Sequence, residues 1–578
     1  MTDNAKELRY MFADLEDEKV VKYPNKKAAP QYGGPGDDLE SFITPIRKGY
    51  NETWGAQVEW VALVPDTPIP QCPLVEYYTG YWHIWESDPL PVPIPPKGPS
   101  VVVSVFLVPR SSYDQLNEER DRLTEIRMNN ISKRTPKAPS TGAHVSTFIS
   151  DAKSAPLGIG RPKSKDLYPV PLSLLQAEFA KFKQDVVSGP LDRDLSPLAH
   201  KWRNELSSYL NPEKEREAKF RELLSELFDG WKVSKKKFNG YTTDGGLDLA
   251  DVMELLVAPL LVEVKTEFTE GGCDAVFEIV LYYLEGVRFI LEDDALKGDW
   301  RKTRLPSLLI VHNGPNIQAL GAVNTGEIYV EPLSSSVPLY FNEFDSTSME
   351  ILIRFMSALR RLFRSLHAIY QKPVDHAVDV DQITFPYVRS YKSSSDTVVP
   401  FKYVERVSDV RLVFTACTEN NRQIIVKFGS GQYGVEAHKA AAQSNLAPAL
   451  LSHTDLTGGW WMVVMEALGD EWTPCDEIAT FEPSCKDMIQ ESVRRFHELG
   501  FVHGDLRDTN VFVRSCDGKW ECQLIDYDWA GREGEVVYPT GVYNSTLVWR
   551  PEDHMDGLLI TFEHDRQTVS HFLRRRIQ

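Results

Sequence analysis

The sequence predicts a multidomain α+β protein, and three observations carry that prediction. The chain has 578 residues, about four times the roughly 150 residues of a typical domain, so more than one hydrophobic core is expected. Its residues are 42% hydrophobic and 25% charged, an ordinary globular composition that excludes collagen, coiled coil and wholesale disorder. Stretches with helical spacing and stretches with strand spacing follow one another along the chain, without an internal repeat.

Charge and cysteine content narrow the class of protein. Lys and Arg number 64 against 83 Asp and Glu, a formal net charge of −19, and a field of that sign repels nucleic acid except at a local basic patch. Seven cysteines without CxxC spacing argue against a disulfide framework or a zinc ribbon. The chain start lacks the apolar segment of a signal peptide, and no apolar run is long enough to span a bilayer. We therefore expect a soluble intracellular protein, cytoplasmic or nuclear, with no membrane partner.

Changes in composition divide the chain into five stretches. Apolar residues recur at helical spacing over Ala199–Trp231 and Ser348–Tyr370. Three apolar runs separated by turns over Ser307–Leu333 predict a strand meander, and Val101–Pro109 predicts a buried strand. In order, the stretches are an N-terminal region (1–111), a polar linker (112–167), a helical segment with an α/β core (168–370), a connection (371–400) and a C-terminal domain (401–578).

The most specific pattern is FVHGDLRDTNVFV (Phe501–Val513). Its His-Gly-Asp triplet ends at Asp505, Asn510 follows, and a later apolar run ends at Asp526. Phosphoryl transfer needs a carboxylate near the attacking hydroxyl, oxygen ligands for Mg²⁺ and a Lys at the nucleotide phosphates. Asp505 can accept or orient the hydroxyl proton, and Asn510 and Asp526 can hold the metal. The alternative interpretation is a surface turn with solvated charges. It would not explain why each of the three residues lies directly beside an apolar strand.

The other parts of such a site precede this motif in the expected order. Lys427 ends the apolar run QIIV, as the phosphate-pairing Lys of a V-A-I-K strand does. Glu436, on a helix-like run, is its candidate ion-pair partner. The strand WWMVVMEAL leads to three residues that are expected to meet an adenine ring through backbone groups, namely Met465, Glu466 and Ala467.

The residues quoted above follow the pattern of kinases, but several neighbouring positions depart from it. These departures leave open whether the site catalyses phosphoryl transfer. Arg411–Gln423, before Lys427, contains no glycine, so the phosphates would lack a glycine-rich lid. In the counterpart of Asp-Phe-Gly, Tyr527 and Asp528 stand where Phe and Gly are usual. Gly504 replaces the Arg that usually contacts activation-loop phosphate. An ATP-binding pseudokinase is therefore an alternative to an active enzyme.

A second pattern lies in the apolar strand LLVEVKTE. Its Glu263 and Lys265 point to the same side, because side chains alternate with a period of two. Asp244 and Asp248 lie upstream, and Glu278 lies on the following helical stretch. This is the arrangement of the PD-(D/E)xK nuclease core, in which carboxylates hold Mg²⁺ and a Lys positions or activates water. E-x-K also occurs in edge strands whose Lys faces solvent, and the pattern does not tell which Asp would face a metal.

From about Tyr168 to its end, the chain resembles a large fungal, mostly basidiomycete, family of protein-kinase-like proteins with an upstream nuclease-like segment. The segments that carry the resemblance are YTTDGGL, EVKTEFTEGGCD, LYYLEG, HNGPNIQALGAV, VKFGSGQYGVEAH, HGDLRDTN and LIDYDWAG. The resemblance implies a C-terminal protein-kinase-like bilobal fold with a minimal C-lobe, preceded by an α/β core of the PD-(D/E)xK type. The first 111 residues are similar to a diverged crinkler-type header.

What the resemblance implies for function is an ATP- and Mg²⁺-dependent phosphotransferase that acts on Ser or Thr of an unidentified protein. Two alternatives stay open. One is a pseudokinase and pseudonuclease scaffold without turnover. The other is a small-molecule kinase of the aminoglycoside-phosphotransferase type, which the His-Gly-Asp triplet favours. Nuclease activity is a further expectation for the middle domain, which would be the part of the chain that contacts nucleic acid.

Overall fold

The structure is a computed structural model of the chain, and its residues divide into two compact units. Unit 1 is Met1–Arg161 with Pro171–Thr384, and unit 2 is Pro162–Val170 with Phe385–Gln578. Before residue 122 the structure describes the backbone of six strands. Beyond it, the side chains described are those of 122–134, 137–152, 157–159, 169–208, 213–237, 240–246, 259–267, 273–291, 302–342, 344–372, 375–541, 549 and 556–574.

Strands near the N-terminus form one sheet in unit 1. They are β1 (Lys6–Glu16), β2 (Lys19–Lys22), β3 (Gln31–Gly33), β4 (Trp60–Val64), β5 (His83–Trp85) and β6 (Val103–Val108). Their order is β2-β1-β6-β4-β5, with β3 also paired to β1. β6 lies within the strand predicted at Val101–Pro109 and runs parallel to β1, with Val103 opposite Leu8. The crinkler-type resemblance of this region stays a prediction.

The stretch expected to be a polar linker is folded where the structure describes it. A helix covers residues 122–132, and α1 (Pro139–Gly142), α2 (Val145–Ser154) and β7 (Leu157–Gly158) follow. The Phe148 ring stacks on that of Phe277 with centroids 3.9 Å apart, and β7 pairs with a strand of the main sheet. Average polarity misled the prediction, because a few apolar side chains on one face, such as Leu123 and Ile131, are enough to dock short helices.

A helical layer precedes the main sheet of unit 1. It consists of α3 (Leu172–Leu175), α4 (Ala177–Ser188), α5 (Ser196–Leu206) and α6 (Glu213–Leu227). The helical spacing predicted over Ala199–Trp231 corresponds to parts of α5 and α6. Their large apolar residues, including Trp202 and Phe220, are buried, so this layer covers the sheet as an amphipathic pattern predicts.

The main sheet of unit 1 has the order β7-β15-β14-β13-β12-β11-β8. Besides β7, its strands are β8 (Val233–Ser234), β11 (Gly245–Leu247), β12 (Leu260–Lys265), β13 (Ser307–Asn313), β14 (Asn316–Asn324) and β15 (Ile328–Pro332). A further strand, β16 (Val337–Pro338), pairs with β14. A separate hairpin consists of β9 (Lys237–Phe238) and β10 (Tyr241–Thr242). β12 and β13 are parallel and are joined through α7 (Ala275–Glu292), as a parallel pair requires. The predicted meander is β13–β15, and the second predicted helix is α8 (Ser346–Gln371).

Unit 2 consists of a sheet lobe and a mainly helical lobe. The sheet has the order β17-β18-β19-β20-β22-β21. Its strands are β17 (Ser390–Lys392), β18 (Val398–Arg406), β19 (Val413–Thr418), β20 (Gln423–Ser430), β21 (Leu450–Leu456) and β22 (Trp460–Glu466). The helix α9 (Val435–Gln443) lies between β20 and β21 along the chain. The second lobe contains β23 (Thr473–Pro474), α10 (Pro483–Glu498), β24 (Phe501–Val502), β25 (Val511–Cys516), β26 (Lys519–Leu524), β27 (Gly531–Arg532) and α11 (Phe562–Arg574).

The boundary of unit 2 lies earlier than the predicted residue 401. The Phe385 ring stacks on Tyr403 of β18 with centroids 5.1 Å apart, so part of the predicted connection belongs to the sheet lobe. Ile383 is buried in unit 1, where its carbonyl accepts a hydrogen bond from Arg304. Among the described helices, none is both long and apolar enough to cross a bilayer.

Candidate functional site

Lys427 of β20 is the cation at the centre of the candidate site in unit 2. Its Nζ donates hydrogen bonds to carboxylate oxygens of Asp526 and Asp528, which lie on the loop after β26. Burial favours the neutral amine, but the two carboxylates outweigh it and raise the pKa of Lys427. A charged ammonium group is therefore held between the two lobes.

Asp526 accepts hydrogen bonds from two cationic side chains. Lys427 contacts its Oδ1, and Arg411, from the turn between β18 and β19, contacts its Oδ2. Burial alone would raise the pKa of Asp526, yet Lys427 and Arg411 lower it well below its usual range. Asp528 differs, because burial and the neighbouring Asp526 charge raise its pKa to about 6. At neutral pH Asp526 is thus a firmly ionised carboxylate, the type of ligand that Mg²⁺ prefers.

Asp505 and Asn510 form the second part of the site. Asn510 Nδ2 donates to the Asp505 backbone carbonyl at 2.9 Å and to Asp505 Oδ2 at 3.1 Å. Both bonds use the amide nitrogen, and the side-chain carbonyl oxygen of Asn510 accepts a long hydrogen bond from the Thr509 hydroxyl at 3.5 Å. That oxygen is the Asn510 atom that could bind a metal ion. The Ile525 backbone nitrogen donates to the backbone carbonyl of Asn510 at 3.0 Å, which brings Asp526 beside this pair. Burial raises the pKa of Asp505 despite the opposing effect of Arg507.

Arg507 is a site residue that the sequence reasoning missed. Its guanidinium donates to Asp505 Oδ2 at 2.6 Å, and its Nε is buried without a hydrogen-bond partner among the described residues. Its position two residues after Asp505 was the available signal. The site therefore contains the cations Lys427, Arg411 and Arg507 as well as carboxylates, a combination suited to a polyanion with a bound metal.

Asp565 of α11, also missed, fixes the His-Gly-Asp loop from behind. It accepts hydrogen bonds from the backbone nitrogens of His503 at 2.7 Å and Gly504 at 2.8 Å. His503 is fully buried, and its Nε2 donates to the Ile525 carbonyl at 3.0 Å. Asp565 shares the buried face of α11 with Val569 and Phe572, and a carboxylate in such a stripe was the one sequence signal for it.

The backbone conformation explains why position 504 is glycine. Gly504 has φ of +80°, in the left-handed region that favours glycine. A Cβ there would lie 2.8 Å from Ile560 Cδ1 and 3.2 Å from Trp529 Cβ. An Arg at this position would therefore be strained and would collide with its neighbours.

The expected ion pair between Lys427 and Glu436 is not formed. Glu436 lies 3.4 Å from Arg532, and its side chain is 76% exposed. Lys427 is already neutralised by Asp526 and Asp528. The sequence places Glu436 on α9 but does not set the rotation of that helix about its axis, so it could not decide which cation Glu436 faces.

The three expected adenine-contacting residues lie at the end of β22, beside the strand that carries Lys427. Met465 is buried and Glu466 is the last residue of the strand, with Ala467 directly after it. The Glu466 side chain pairs with Arg422. Contact with adenine stays a prediction for all three.

The sheet order of unit 2, the Lys427–Asp526 pair between its lobes and the His-Gly-Asp loop agree with the protein-kinase-like fold that the sequence predicts. Two kinases of solved structure are similar to the chain. The Cydia pomonella granulovirus kinase PK-1 is 15% identical with a TM-score of 0.25, over 30% of this chain and 68% of its own. Vaccinia related kinase 3 is 16% identical with a TM-score of 0.24, over 32% and 67%. No family model and no curated protein matches the sequence.

The second candidate site lies in unit 1 at the end of β12. Lys265 Nζ is 2.7 Å from Glu263 Oε1 and 2.9 Å from Glu278 Oε2 on α7, so Glu263 and Lys265 do share one side of the strand. Asp244 Oδ2 accepts a hydrogen bond from the backbone nitrogen of Val264 at 3.0 Å. Asp248 lies outside the described residues.

Carboxylates outnumber cations in this cluster. Glu263 is 1% exposed, and its Oε2 has no hydrogen-bond partner among the described residues. Burial, with Asp244 and Glu278 nearby, raises the pKa of Glu263 well above its usual range, and burial raises that of Asp244 to about 7. Lys265 pairs with one oxygen of Glu263 and one of Glu278. The other carboxylate oxygens of the cluster are suitable ligands for a bound cation.

Two acidic residues of α6 complete this cluster and were not foreseen. One oxygen each from Glu213, Glu217 and Asp244 lie within 4.8 Å of one another, close enough to hold one metal ion. Glu217 also contacts Lys235 at 2.5 Å. The signal was the spacing of four between Glu213 and Glu217, which puts both on one helix face.

Proposed function

We propose that unit 2 is an ATP- and Mg²⁺-dependent phosphotransferase whose acceptor is a Ser or Thr hydroxyl of a protein. The observation that carries the proposal is the convergence of Lys427 and Asp526 with the hydrogen-bonded pair Asp505 and Asn510. These are the groups that phosphoryl transfer requires, since its catalysis consists mainly of positioning and charge stabilisation.

Each residue has a distinct role in this proposal. Asp505 accepts or orients the proton of the attacking hydroxyl, and its raised pKa brings its basicity toward the working pH. Lys427 holds the nucleotide phosphates. Asp526 and the carbonyl oxygen of Asn510 would hold Mg²⁺, which neutralises charge on the transferred group. The carboxylate and amide oxygens at these positions are ligands that fit this ion.

The acceptor is tested by incubating the full chain with Mg²⁺ and ATP labelled on its γ-phosphate. Protein acceptors and aminoglycosides are offered in parallel, and Asp505→Asn and Asp508→Asn serve as matched variants on the same loop. We expect label in protein with wild type and Asp508→Asn, and its loss in Asp505→Asn. Label in an aminoglycoside alone would support a small-molecule kinase instead. Nucleotide binding without any transfer would support the pseudokinase scaffold.

As a second function, we propose metal-dependent phosphodiester cleavage by unit 1. Its support is the buried Oε2 of Glu263, which has no hydrogen-bond partner in the part of the chain that the structure describes and lies next to Lys265 and Glu278. Carboxylates would hold Mg²⁺ or Mn²⁺ through Glu263 and Asp244, and Lys265 would position the attacking water. The acidic chain requires that nucleic acid meet a local cationic surface of this unit.

Cleavage is tested with DNA and RNA in a titration of Mg²⁺ and Mn²⁺. Glu263→Gln removes the central carboxylate charge, and Glu267→Gln, exposed on the same segment, is the control. We expect metal-dependent products from wild type and Glu267→Gln alone. Equal products from Glu263→Gln would identify a contaminating nuclease and contradict the proposal.

A further inference from the structure

The turn between β18 and β19 stands where kinases have a glycine-rich lid over the phosphates. Its residues 407–412, VSDVRL, include no glycine. The Arg411 backbone nitrogen donates to the Ser408 carbonyl at 3.3 Å, and Arg406 Nε donates to the Arg411 carbonyl at 2.8 Å. A Cβ on every residue keeps this backbone from approaching phosphates as closely as glycines allow. Some other group of the turn must therefore supply the phosphate contact.

Arg411 is the residue of this turn that reaches into the site. Its guanidinium donates to Asp526 Oδ2 while Lys427 occupies Oδ1 of the same carboxylate. Its side chain is 39% exposed, so it lies at the mouth of the site with one side open. It can therefore change partners without unpacking a core.

We propose that Arg411 is a phosphate-binding residue that takes the place of the glycine-rich lid. With Mg²⁺ and nucleotide bound, Asp526 would hold the metal, and the guanidinium of Arg411 would donate to the nucleotide phosphates in place of that carboxylate. A carboxylate and a phosphate each offer two oxygens at a similar spacing. A planar guanidinium can donate two parallel hydrogen bonds to either group. A metal held by Asp526 would also attract the phosphates, so the new acceptor would lie beside the old one. This inference rests on nucleotide binding by unit 2.

Charge balance favours this role over expulsion of Arg411. Three basic side chains, Lys427, Arg411 and Arg507, face three acidic side chains, Asp505, Asp526 and Asp528, so their formal charges cancel. Mg·ATP brings about two further negative charges. If Arg411 moved into solvent, the site would lose one positive charge, and its excess of negative charge would grow by one. The site is partly buried, and an uncompensated charge is costly there.

The test compares nucleotide affinities of the full chain by calorimetry. Wild type, Arg411→Gln, Arg411→Lys and the exposed control Arg566→Gln are titrated with Mg·ATP and with adenosine. We expect Arg411→Gln to weaken Mg·ATP binding by about tenfold or more, the usual loss of a charge-assisted hydrogen bond, with adenosine affinity unchanged. Arg411→Lys should lose less, since it keeps the charge but not the bidentate geometry.

Two outcomes would overturn the inference in different ways. If wild type binds Mg·ATP and Arg411→Gln binds it equally or more tightly, Arg411 does not bind the phosphates. Its contact with Asp526 then either blocks the site or has no effect on binding. The proposal that unit 2 binds nucleotide would be unaffected by this result. Absence of Mg·ATP binding by wild type would defeat the proposed function together with this inference. Circular dichroism of the unliganded variants shows whether each is folded.

Discussion

Asp565 on the last helix accepts hydrogen bonds from the backbone nitrogens of His503 and Gly504, at 2.7 and 2.8 Å. A buried carboxylate far along the chain therefore sets the conformation of the loop that carries Asp505. His497 Nε2 lies 3.1 Å from the same carboxylate, so α10 and α11 are linked through it. The candidate catalytic loop thus depends on a group outside its own motif.

Asp565→Ala should loosen this loop. Two buried backbone donors would lose their acceptor, at about 1–3 kcal/mol each. Hydrogen exchange of the full chain is the measurement, and peptides covering 501–513 should lose protection. Glu563→Ala, on the exposed side of the same helix, should leave that protection unchanged. Equal protection in Asp565→Ala and wild type would show that the loop holds its shape without this carboxylate.

Mg·ATP should raise the thermal unfolding temperature of the full chain, because a ligand that binds only the native state stabilises it by about 2.7 kcal/mol at one hundred times its Kd. Asp526→Asn should remove this shift, since the neutral amide lacks the negative charge with which Asp526 would attract the metal ion. Asp517→Asn, on an exposed turn between β25 and β26, should keep it. A full shift in Asp526→Asn would contradict the assignment of Asp526 to the metal.

Glu263→Gln should stabilise the metal-free protein, because a neutral amide avoids the burial penalty and the repulsion from Asp244 and Glu278 that disfavour the ionised Glu263. Lys265→Ala should do the opposite, by about 3–5 kcal/mol, since it leaves buried carboxylates without their cation. Urea unfolding of the full chain with and without Mn²⁺ checks both. Added Mn²⁺ should stabilise wild type more than Glu263→Gln, and equal stabilisation of the two would contradict a metal site at Glu263.

Acid should destabilise unit 2 through His438. This side chain is buried, with Nε2 donating to the Pro448 carbonyl at 2.9 Å and Nδ1 accepting from the Tyr433 hydroxyl at 2.8 Å. Burial lowers its pKa from 6.5 to about 4. Between these values the unfolded chain binds a proton that the folded protein does not, so stability falls as pH drops from about 6.5 to 4, by roughly 3 kcal/mol at most.

His438→Asn provides the measurement of that effect. The variant lacks the titrating group, so its urea midpoint should fall less than that of wild type as the pH decreases. The stability difference between the two proteins should therefore be largest at pH 7 and shrink toward pH 4. Parallel pH profiles would show that His438 titrates alike in the folded and unfolded chains.

Local motifs predicted much of both candidate sites. Asp505 and Asn510 lie on one short loop, and Glu263 and Lys265 lie two apart on one strand, so strand and loop geometry alone brings each pair together. The same reasoning did not foresee the helices within the described residues 122–134 and 137–152 of the expected linker, where average polarity concealed one-sided apolar faces. It also failed for Glu436, because helix rotation depends on packing and not on the helix's own residues.

The sequence by itself determined which chemical groups exist and which neighbours along the chain share a face. Tertiary structure alone decided the long-range partners: Asp565 behind the His-Gly-Asp loop, Arg411 on Asp526, and Glu213 with Glu217 near Asp244. The physical reason is that covalent geometry and strand or helix period act over a few residues. Contacts between distant segments depend instead on how whole elements pack, and that packing minimises the free energy of the entire core.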